Sequence, residues 1–299
     1  MKEKYVYDAI WGQVLLTPLM QRFIDTYEFQ RLKNIKQLGT AQFVYPGASN
    51  TRFEHSLGVS HLARKMASRL TSQQRLIDLI SVAGLLHDIG HGPMSHTFDI
   101  YCEKYNFFKN PLLNKHEYRS TYIVRYMIEE YSIPLNYEET AFICNCIITP
   151  IEKSWEHSIV SNYIDVDRMD YIIRDSYNTG VNVMVSKEDI LNIIDCAYIG
   201  KDRTLQFQDR SQRDIDKLLD SRKYMYSNVY HHKVALKFND LVLKLMHLLW
   251  EKEWEGQGDL LRFLKVPFND LLLEYYWAQE QLPNGAREIM RNIFHRKIN

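Results

Sequence analysis

His87 and Asp88 stand side by side near the end of an apolar helical run, SVAGLLHDIGHG. A neighbouring imidazole and carboxylate can both reach one divalent cation when the end of a helix points them into a cavity. Two more ligands of the right type lie at a distance in sequence, His55 in NTRFEHSLG and Asp167 in IDVDRMDY. Two imidazole nitrogens with two carboxylates form a borderline-hard set that suits Mn, Fe, Mg, Co or Ni and lacks the thiolates of a structural zinc site. An HD dipeptide alone is common by chance. The longer string HDIGHGPMSH, with three histidines around two glycines, is not.

Groups for proton transfer follow directly. His91 and His96 succeed the HD pair, Asp99 comes three residues after His96, and His116 opens a later helix. Any one of these histidines could be a core residue satisfied by a carbonyl, but six of the eleven in the chain fall between 55 and 116, which argues for a site. A histidine near its ordinary pKa of ~6.5 is partly protonated at neutral pH. A carboxylate such as Asp99 beside it raises that fraction and favours general-acid work on a poor leaving group, an effect of ~10²–10⁴ in rate. A bound cation would polarise a phosphoryl oxygen and acidify water toward pKa ~7. Arg52, Arg168 and Arg222 are the cations to aim at phosphate oxygens, where a planar guanidinium helps. The reaction class is metal-assisted phosphoester hydrolysis, and these residues leave the substrate open.

Helices must position these groups. Thr17-Pro18 is a helix start, and Phe23, Phe29, Leu32 and Ile35 continue an apolar face up to Gly39. Thr51 to Glu54 reads as a capping box that places Arg52 and His55 in the first turns of the next helix. A helix from about Gln73 is apolar all round between Leu79 and Leu86, hence central, and stops at Gly90 and Gly92. Further helices are expected near 117–131, 138–148, 158–177, 187–196, 211–230, 234–252, 258–264, 268–280 and 285–295. In the 158–177 helix, Asp167, Asp170, Tyr171 and Arg174 fall on one stripe, with Asp175 one turn further. CAYI, GKDR and TLQF form one hairpin. EGQGD near 255–259 and LPNGA near 282–286 read as loops within one mostly helical domain, 1–299.

Lys+Arg and Asp+Glu are both 37, so no surplus charge drives nonspecific nucleic-acid binding, and an anionic substrate must meet a local cluster of cations. Four cysteines, Cys102, Cys144, Cys146 and Cys196, show no disulfide framework and suit a reducing cytosol or nucleus. No apolar stretch approaches ~18 residues and the N-terminus has no apolar signal core, so neither a membrane span nor a signal peptide is expected.

QLGTAQFVYPGASNTRFEHSLGVSHLA, then AGLLHDIGHGPMSHTFD and IDVDRMDYIIRDS, together resemble the catalytic core of the SAM-and-HD-domain deoxynucleoside triphosphate triphosphohydrolases. The resemblance covers about 4–240, with 241–299 a helical extension, and implies an HD-domain helical fold. It implies release of a deoxynucleoside and inorganic tripolyphosphate from a dNTP. By the same resemblance His55, His87, Asp88 and Asp167 are metal ligands, and His91, His96, Asp99 and His116 are catalytic or nearly so. Arg52, Arg168 and Arg222 contact phosphate, Arg168 taking a lysine position of the family. Gln37, Tyr171 and Asp175 read the 3′-hydroxyl, Leu38 closes the pocket against a 2′-hydroxyl, and Tyr230 stacks near sugar and base. An apolar side chain against C2′ leaves a ribose hydroxyl unpaired, which discriminates well.

Asp25, Gln30 and Lys33 resemble part of a guanine-nucleotide activator pocket, although Lys33 replaces an arginine, and His231 stands where the family has a glutamine. By the resemblance, neither a SAM domain ahead of the core nor the family's C-terminal regulatory lobe is expected within residues 1–299. A homo-oligomer is expected, a small constitutively active one as readily as a nucleotide-bridged tetramer. Two rivals are an HD phosphohydrolase acting on another nucleotide and a non-catalytic scaffold binding nucleotide or single-stranded nucleic acid. The intact ligands and the balanced charge weigh against the scaffold.

Overall fold

Tyr5, Val6 and Tyr7 suit a strand, and the Asp8 carboxylate accepts the backbone N–H groups of Ile10 and Trp11 at 2.9 and 2.8 Å, closing a turn. Gly12 takes φ +73° there. Strand β1 (Lys4–Asp8) therefore pairs antiparallel with β2 (Gly12–Leu16), with Val6 opposite Val14. This hairpin is an addition to the one expected from sequence. The structure, a computed structural model, describes residues 2–148, 154–254, 260, 269–279 and 282–297.

Helix α1 (Pro18–Ile24) starts at Thr17 as expected. The continuous apolar face anticipated up to Gly39 is instead broken. The Thr26 hydroxyl donates to the Phe23 carbonyl at 2.7 Å and accepts from the Phe29 N–H at 3.4 Å, ending one helix and starting the short α2 (Tyr27–Gln30). Two 3₁₀ turns follow, Arg31–Asn34 and Gly39–Phe43. Phe23, Phe29, Leu32 and Ile35 are nonetheless all buried, because each short piece turns its apolar residues inward.

The centre of the molecule is α3 (Arg52–Leu70) packed on α4 (Gln74–Leu86). Every residue from Leu79 to Leu86 is buried, as the all-round apolarity of that run requires. Three helices follow in the chain, α5 (His96–Tyr105), α6 (His116–Glu130) and α7 (Tyr137–Ile147), of which α7 packs on α4 and α6 on α7. The helix expected over 158–177 is two: α8 (Trp155–Val160) and α9 (Val166–Thr179). The Asp165 carboxylate separates them by accepting the N–H groups of Asn162 and Arg168, both at 2.8 Å, which makes it the N-cap of α9.

Next come α10 (Lys187–Asp195) and the expected hairpin, β3 (Ala197–Ile199) against β4 (Leu205–Phe207). Helix α11 (Gln212–Met225) runs into a π turn, Tyr226–Tyr230, before α12 (Lys233–Trp254). The helix anticipated over 268–280 shortens to α13 (Leu272–Trp277), and α14 (Ala286–Phe294) follows. The helix expected at 258–264, apart from Leu260, and the loop at 255–259 lie outside the described residues. The fold is mostly α with two small antiparallel hairpins among the described residues. One cluster of buried side chains runs from Ile10 to Ile293. A smaller one, Ala41, Met225, Val229 and Ala235, supports Leu38 and Tyr230.

Candidate metal centre

The Thr51 capping box forms: the Thr51 N–H donates to the Glu54 carboxylate at 2.6 Å and the Glu54 N–H to the Thr51 hydroxyl at 3.4 Å. It fixes the start of α3, so His55 lies on the first turn with its side chain fully buried. His87 and Asp88 leave the end of α4, and Asp167 sits in the first turn of α9. These three stretches converge. His55 Nε2 is 3.5 Å from Asp88 Oδ2 and 3.1 Å from Asp167 Oδ1, and His87 Nε2 is 3.4 and 3.7 Å from the same two oxygens. Ligands ~2.1 Å from one ion at right angles would stand ~3.0 Å apart, so the four atoms fit a divalent cation with little adjustment.

The hydrogen bonds behind the ligands agree with that reading. His55 Nδ1 is 2.8 Å from Asp170 Oδ2 and His87 Nδ1 is 2.8 Å from the Gly84 carbonyl. Both Nε2 atoms are buried with no hydrogen-bond partner. A buried ring nitrogen left bare while its other nitrogen is engaged is the arrangement of a metal ligand oriented from behind. Burial works to push the His55 imidazolium down, but the Asp167 and Asp170 carboxylates prevail and hold it up, to about 10. The same field that favours a second proton there favours a cation, so cation binding must release that proton. Burial raises Asp88 and Asp167 as well; Arg52, His87 and His91 outweigh it for Asp88, and the neighbouring imidazoles of His55 and His87 for Asp167, so both stay ionised.

Asp170 is the hub behind the centre. Beside His55 it accepts Arg174 Nε and Nη2, both at 2.8 Å, and Trp11 Nε1 at 2.5 Å. Arg174 continues to Asp8 at 2.8 and 3.2 Å, which ties the N-terminal hairpin to the centre. Gly58, one turn after His55, makes room for this pair. A β-carbon on it would lie 1.9 Å from Asp170 Oδ1 and 2.4 Å from Arg174 Nη2. Sequence reading put Asp170 and Arg174 on one helical stripe but gave neither this role, and it missed Asp8 and Trp11, which no local pattern marks.

On the other side of Asp88 a second group gathers. Asp99 Oδ2 lies 2.9 Å from His116 Nδ1, 3.2 Å from His96 Nδ1 and 3.6 Å from His91 Nδ1. His91 and His116 stack with centroids 3.9 Å apart, and His91 Nε2 is 3.4 Å from Asp88 Oδ1. Arg119, buried, pairs with Asp99 and donates to the Gly90 carbonyl at 2.8 Å. Close approach at Gly90 brings α6 in, since a β-carbon there would stand 2.2 Å from the His116 carbonyl. Burial lowers His116, but Asp99 prevails and its pKa is raised. His91 goes the other way, pushed well below its usual value by burial and by Arg52 and His116. Protonation is thus favoured on His116 and disfavoured on the His91 ring stacked against it. His96 is the exposed member, at 66%.

A cavity of about 640 Å³ opens over both groups. Asp88, Asp167, His96 and His116 lie on its wall, as do Gln37, Leu38, Arg52, Arg168, Tyr171, Asp175, Arg222 and Tyr230. Every phosphate- or sugar-directed residue expected from sequence therefore lines one space, which is the size of a small-ligand site. Three cations in it have partners already. Arg52 pairs with Asp88 and donates through Nε to the Ser95 hydroxyl at 2.9 Å. Arg168 folds back on Asp165 and the Asn162 carbonyl. Arg222 donates to the Tyr171 hydroxyl at 3.3 Å. Asp175 accepts the Tyr230 hydroxyl and the Asn50 amide, each at 2.9 Å, and burial pushes it up to about 6. Met94, Ser95, Asp165 and Asn239 also line the space, and sequence reading did not single them out. Asp25, Gln30 and Lys33 do not reach it. Asp25 and Lys33 are exposed, and the Gln30 amide donates to the Ile24 carbonyl at 2.7 Å. No helix among the described residues is long and apolar enough to cross a membrane.

The model of the HD domain family matches residues 52–175, the span that contains all four candidate ligands. The chain is 33% identical over 311 residues to the deoxynucleoside triphosphate triphosphohydrolase SAMHD1 homolog of Dictyostelium discoideum, covering 99% of this chain and 59% of that protein. It is 33% identical over 348 residues to the deoxynucleoside triphosphate triphosphohydrolase SAMHD1 of Gallus gallus, covering 99% of this chain and 55% of the relative. Uncharacterized protein MG461 of Mycoplasma genitalium is 34% identical over 241 residues, covering 77% and 56%. The chain thus spans somewhat over half the length of the curated relatives it matches.

Proposed function

Because this chain carries an HD domain and is a homologue, over nearly its whole length, of SAMHD1-type deoxynucleoside triphosphate triphosphohydrolases, we propose that it hydrolyses dNTPs to deoxynucleoside and inorganic tripolyphosphate. The observation that carries this reading is the pair of bare, buried imidazole nitrogens facing two ionised carboxylates on the wall of a nucleotide-sized cavity.

His55, His87, Asp88 and Asp167 would hold the divalent ion. When bound, that ion supplies Lewis-acid polarisation of a phosphoryl oxygen and acidifies water for attack on the α-phosphorus. The remaining work falls to the protein. Asp99 favours the protonated form of His116, so His116 is the group to deliver a proton to the departing 5′-oxygen, with exposed His96 as its neighbour at the cavity wall. Neutral His91 stacks on that acid, and both rings turn Nε2 toward Asp88 Oδ1, at 3.4 and 3.9 Å. Arg52, Arg168 and Arg222 exchange their present partners for phosphate oxygens, and Asp165, released by Arg168, keeps the N–H groups of Asn162 and Arg168. Gln37, Tyr171 and Asp175 take the 3′-hydroxyl, Leu38 stands against C2′, and Tyr230 flanks the sugar and base.

Asp25, Gln30 and Lys33, away from the cavity, would contribute to a guanine-nucleotide activator site completed in a homo-oligomer, testable by sedimentation with and without GTP. Four buried free cysteines support a reducing compartment, cytosol or nucleus.

The test is incubation with each dNTP and NTP plus Mn²⁺ or Mg²⁺, with products resolved by ion chromatography. Tripolyphosphate from dNTPs, lost in Asp88→Ala, is the expected result. Pyrophosphate or single phosphate release would move the assignment to another nucleotide hydrolase, and binding without turnover would make the chain a scaffold.

A further inference from the structure

Gln37, Leu38, Met94 and Ser95 line the cavity from two stretches, 36–38 and 92–95, that belong to no helix or sheet, so backbone N–H groups there that no local turn satisfies need acceptors from elsewhere. Asp270 supplies two of them from far along the chain. One carboxylate oxygen accepts the Met94 N–H at 2.6 Å and the other the Lys36 N–H at 2.9 Å. The Asp270 N–H in turn donates to the Asn34 carbonyl at 2.9 Å. The turn that presents it is closed by the Asn269 side chain, which accepts the Leu271 N–H at 3.0 Å.

What these bonds hold is a strained and consequential piece of backbone. Met94 and Ser95 both have φ +59°, and Ser95 has ψ −122°, conformations that residues with a β-carbon keep only when their surroundings fix them. Ser95 then joins the two walls. Its hydroxyl donates to the Gln37 carbonyl at 3.3 Å and accepts from Arg52 Nε, and Arg52 reaches the candidate ligand Asp88. Gln37 and Leu38 follow Lys36 immediately and line the cavity.

We propose that Asp270 is a positioning residue that ties the two walls together, so that the turn at 269–271 supports the substrate site and sets its affinity. The inference rests on the hydrolase reading above, because its kinetic arm needs turnover. Asp270→Ala and Asp270→Asn are compared with the unaltered chain in three measurements: dNTP kinetics with Mn²⁺, Mn²⁺ affinity by calorimetry, and hydrogen exchange of peptides spanning 34–38 and 92–97. Removing the acceptors from two N–H groups is expected to raise KM about tenfold or more while kcat and Mn²⁺ affinity stay within about threefold. Exchange in both peptides should accelerate in the same variant. Asp270→Asn, whose single carbonyl can serve only one of the two donors, should fall between.

Unchanged KM and unchanged exchange in both variants overturn the proposal. So does a parallel loss of kcat, Mn²⁺ affinity and protection across the whole chain, which is what a merely structural residue would give. If the unaltered chain turns over no nucleotide, the hydrolase reading fails, and the tie is still decided by whether exchange changes in those two peptides alone.

Discussion

Replacing Asp170 with asparagine tests the support behind the centre without touching a candidate ligand. Asp170 accepts from His55, twice from Arg174, and from Trp11. Asparagine keeps the shape but offers one oxygen in place of two and sets an NH₂ against one of these donors. Breaking a buried ion pair by removing one partner costs ~3–5 kcal/mol. Arg174 keeps Asp8 at 2.8 and 3.2 Å, so the loss in folding free energy should lie near the lower end, about 3 kcal/mol. His55 loses the charged acceptor that orients its ring, and such losses reduce metal affinity by roughly 10–100-fold, about 1.4–2.7 kcal/mol. Urea unfolding of the metal-free protein measures the first quantity and Mn²⁺ calorimetry the second. The variant should remain folded, with both numbers displaced. A folded Asp170→Asn protein that binds Mn²⁺ within about twofold of the original would refute the argument that the bond to His55 Nδ1 prepares Nε2 for a cation.

Other outcomes follow from single contacts. Gly58→Ala forces a methyl into the Asp170–Arg174 pair, and overpacking of this kind costs ~1–3 kcal/mol, read as a lower urea midpoint with an unchanged slope. Asp175 is held at about 6, above its unfolded value of ~3.9, so its protonated form is favoured by folding. Its stabilising contribution is complete below pH ~3.9 and lost as pH rises through about 6, while its strength as an acceptor for a sugar hydroxyl weakens as pH falls through the same value. KM for dNTP should therefore climb below pH about 6, and a KM profile in Asp175→Asn that still climbs there would remove Asp175 as the cause. Leu38→Ala should admit ribonucleotides, measured as tripolyphosphate from NTPs; zero turnover would show that the side chain does not exclude the 2′-hydroxyl by contact.

The types of the candidate ligands were legible in the chain because their chemistry is local. A His-Asp pair at the end of an apolar helix, a capping box that places His55 on a first turn, and an aspartate beside an arginine on a helical stripe are all short-range patterns. Central burial of α4 was likewise written in its composition. Only the tertiary structure decided how those ligands are oriented. The bonds that do so join residues 115, 159 and 166 positions apart, His55 to Asp170, Trp11 to Asp170 and Arg174 to Asp8. Asp270 reaches Lys36 across 234 positions. Periodicity cannot encode such contacts, since a helical stripe says which side chains share a face but not which chain segment that face meets. The breaks at Thr26 and at Asp165 escaped for a related reason: a capping side chain that satisfies the backbone locally can end a helix within an apolar run that periodicity alone would continue.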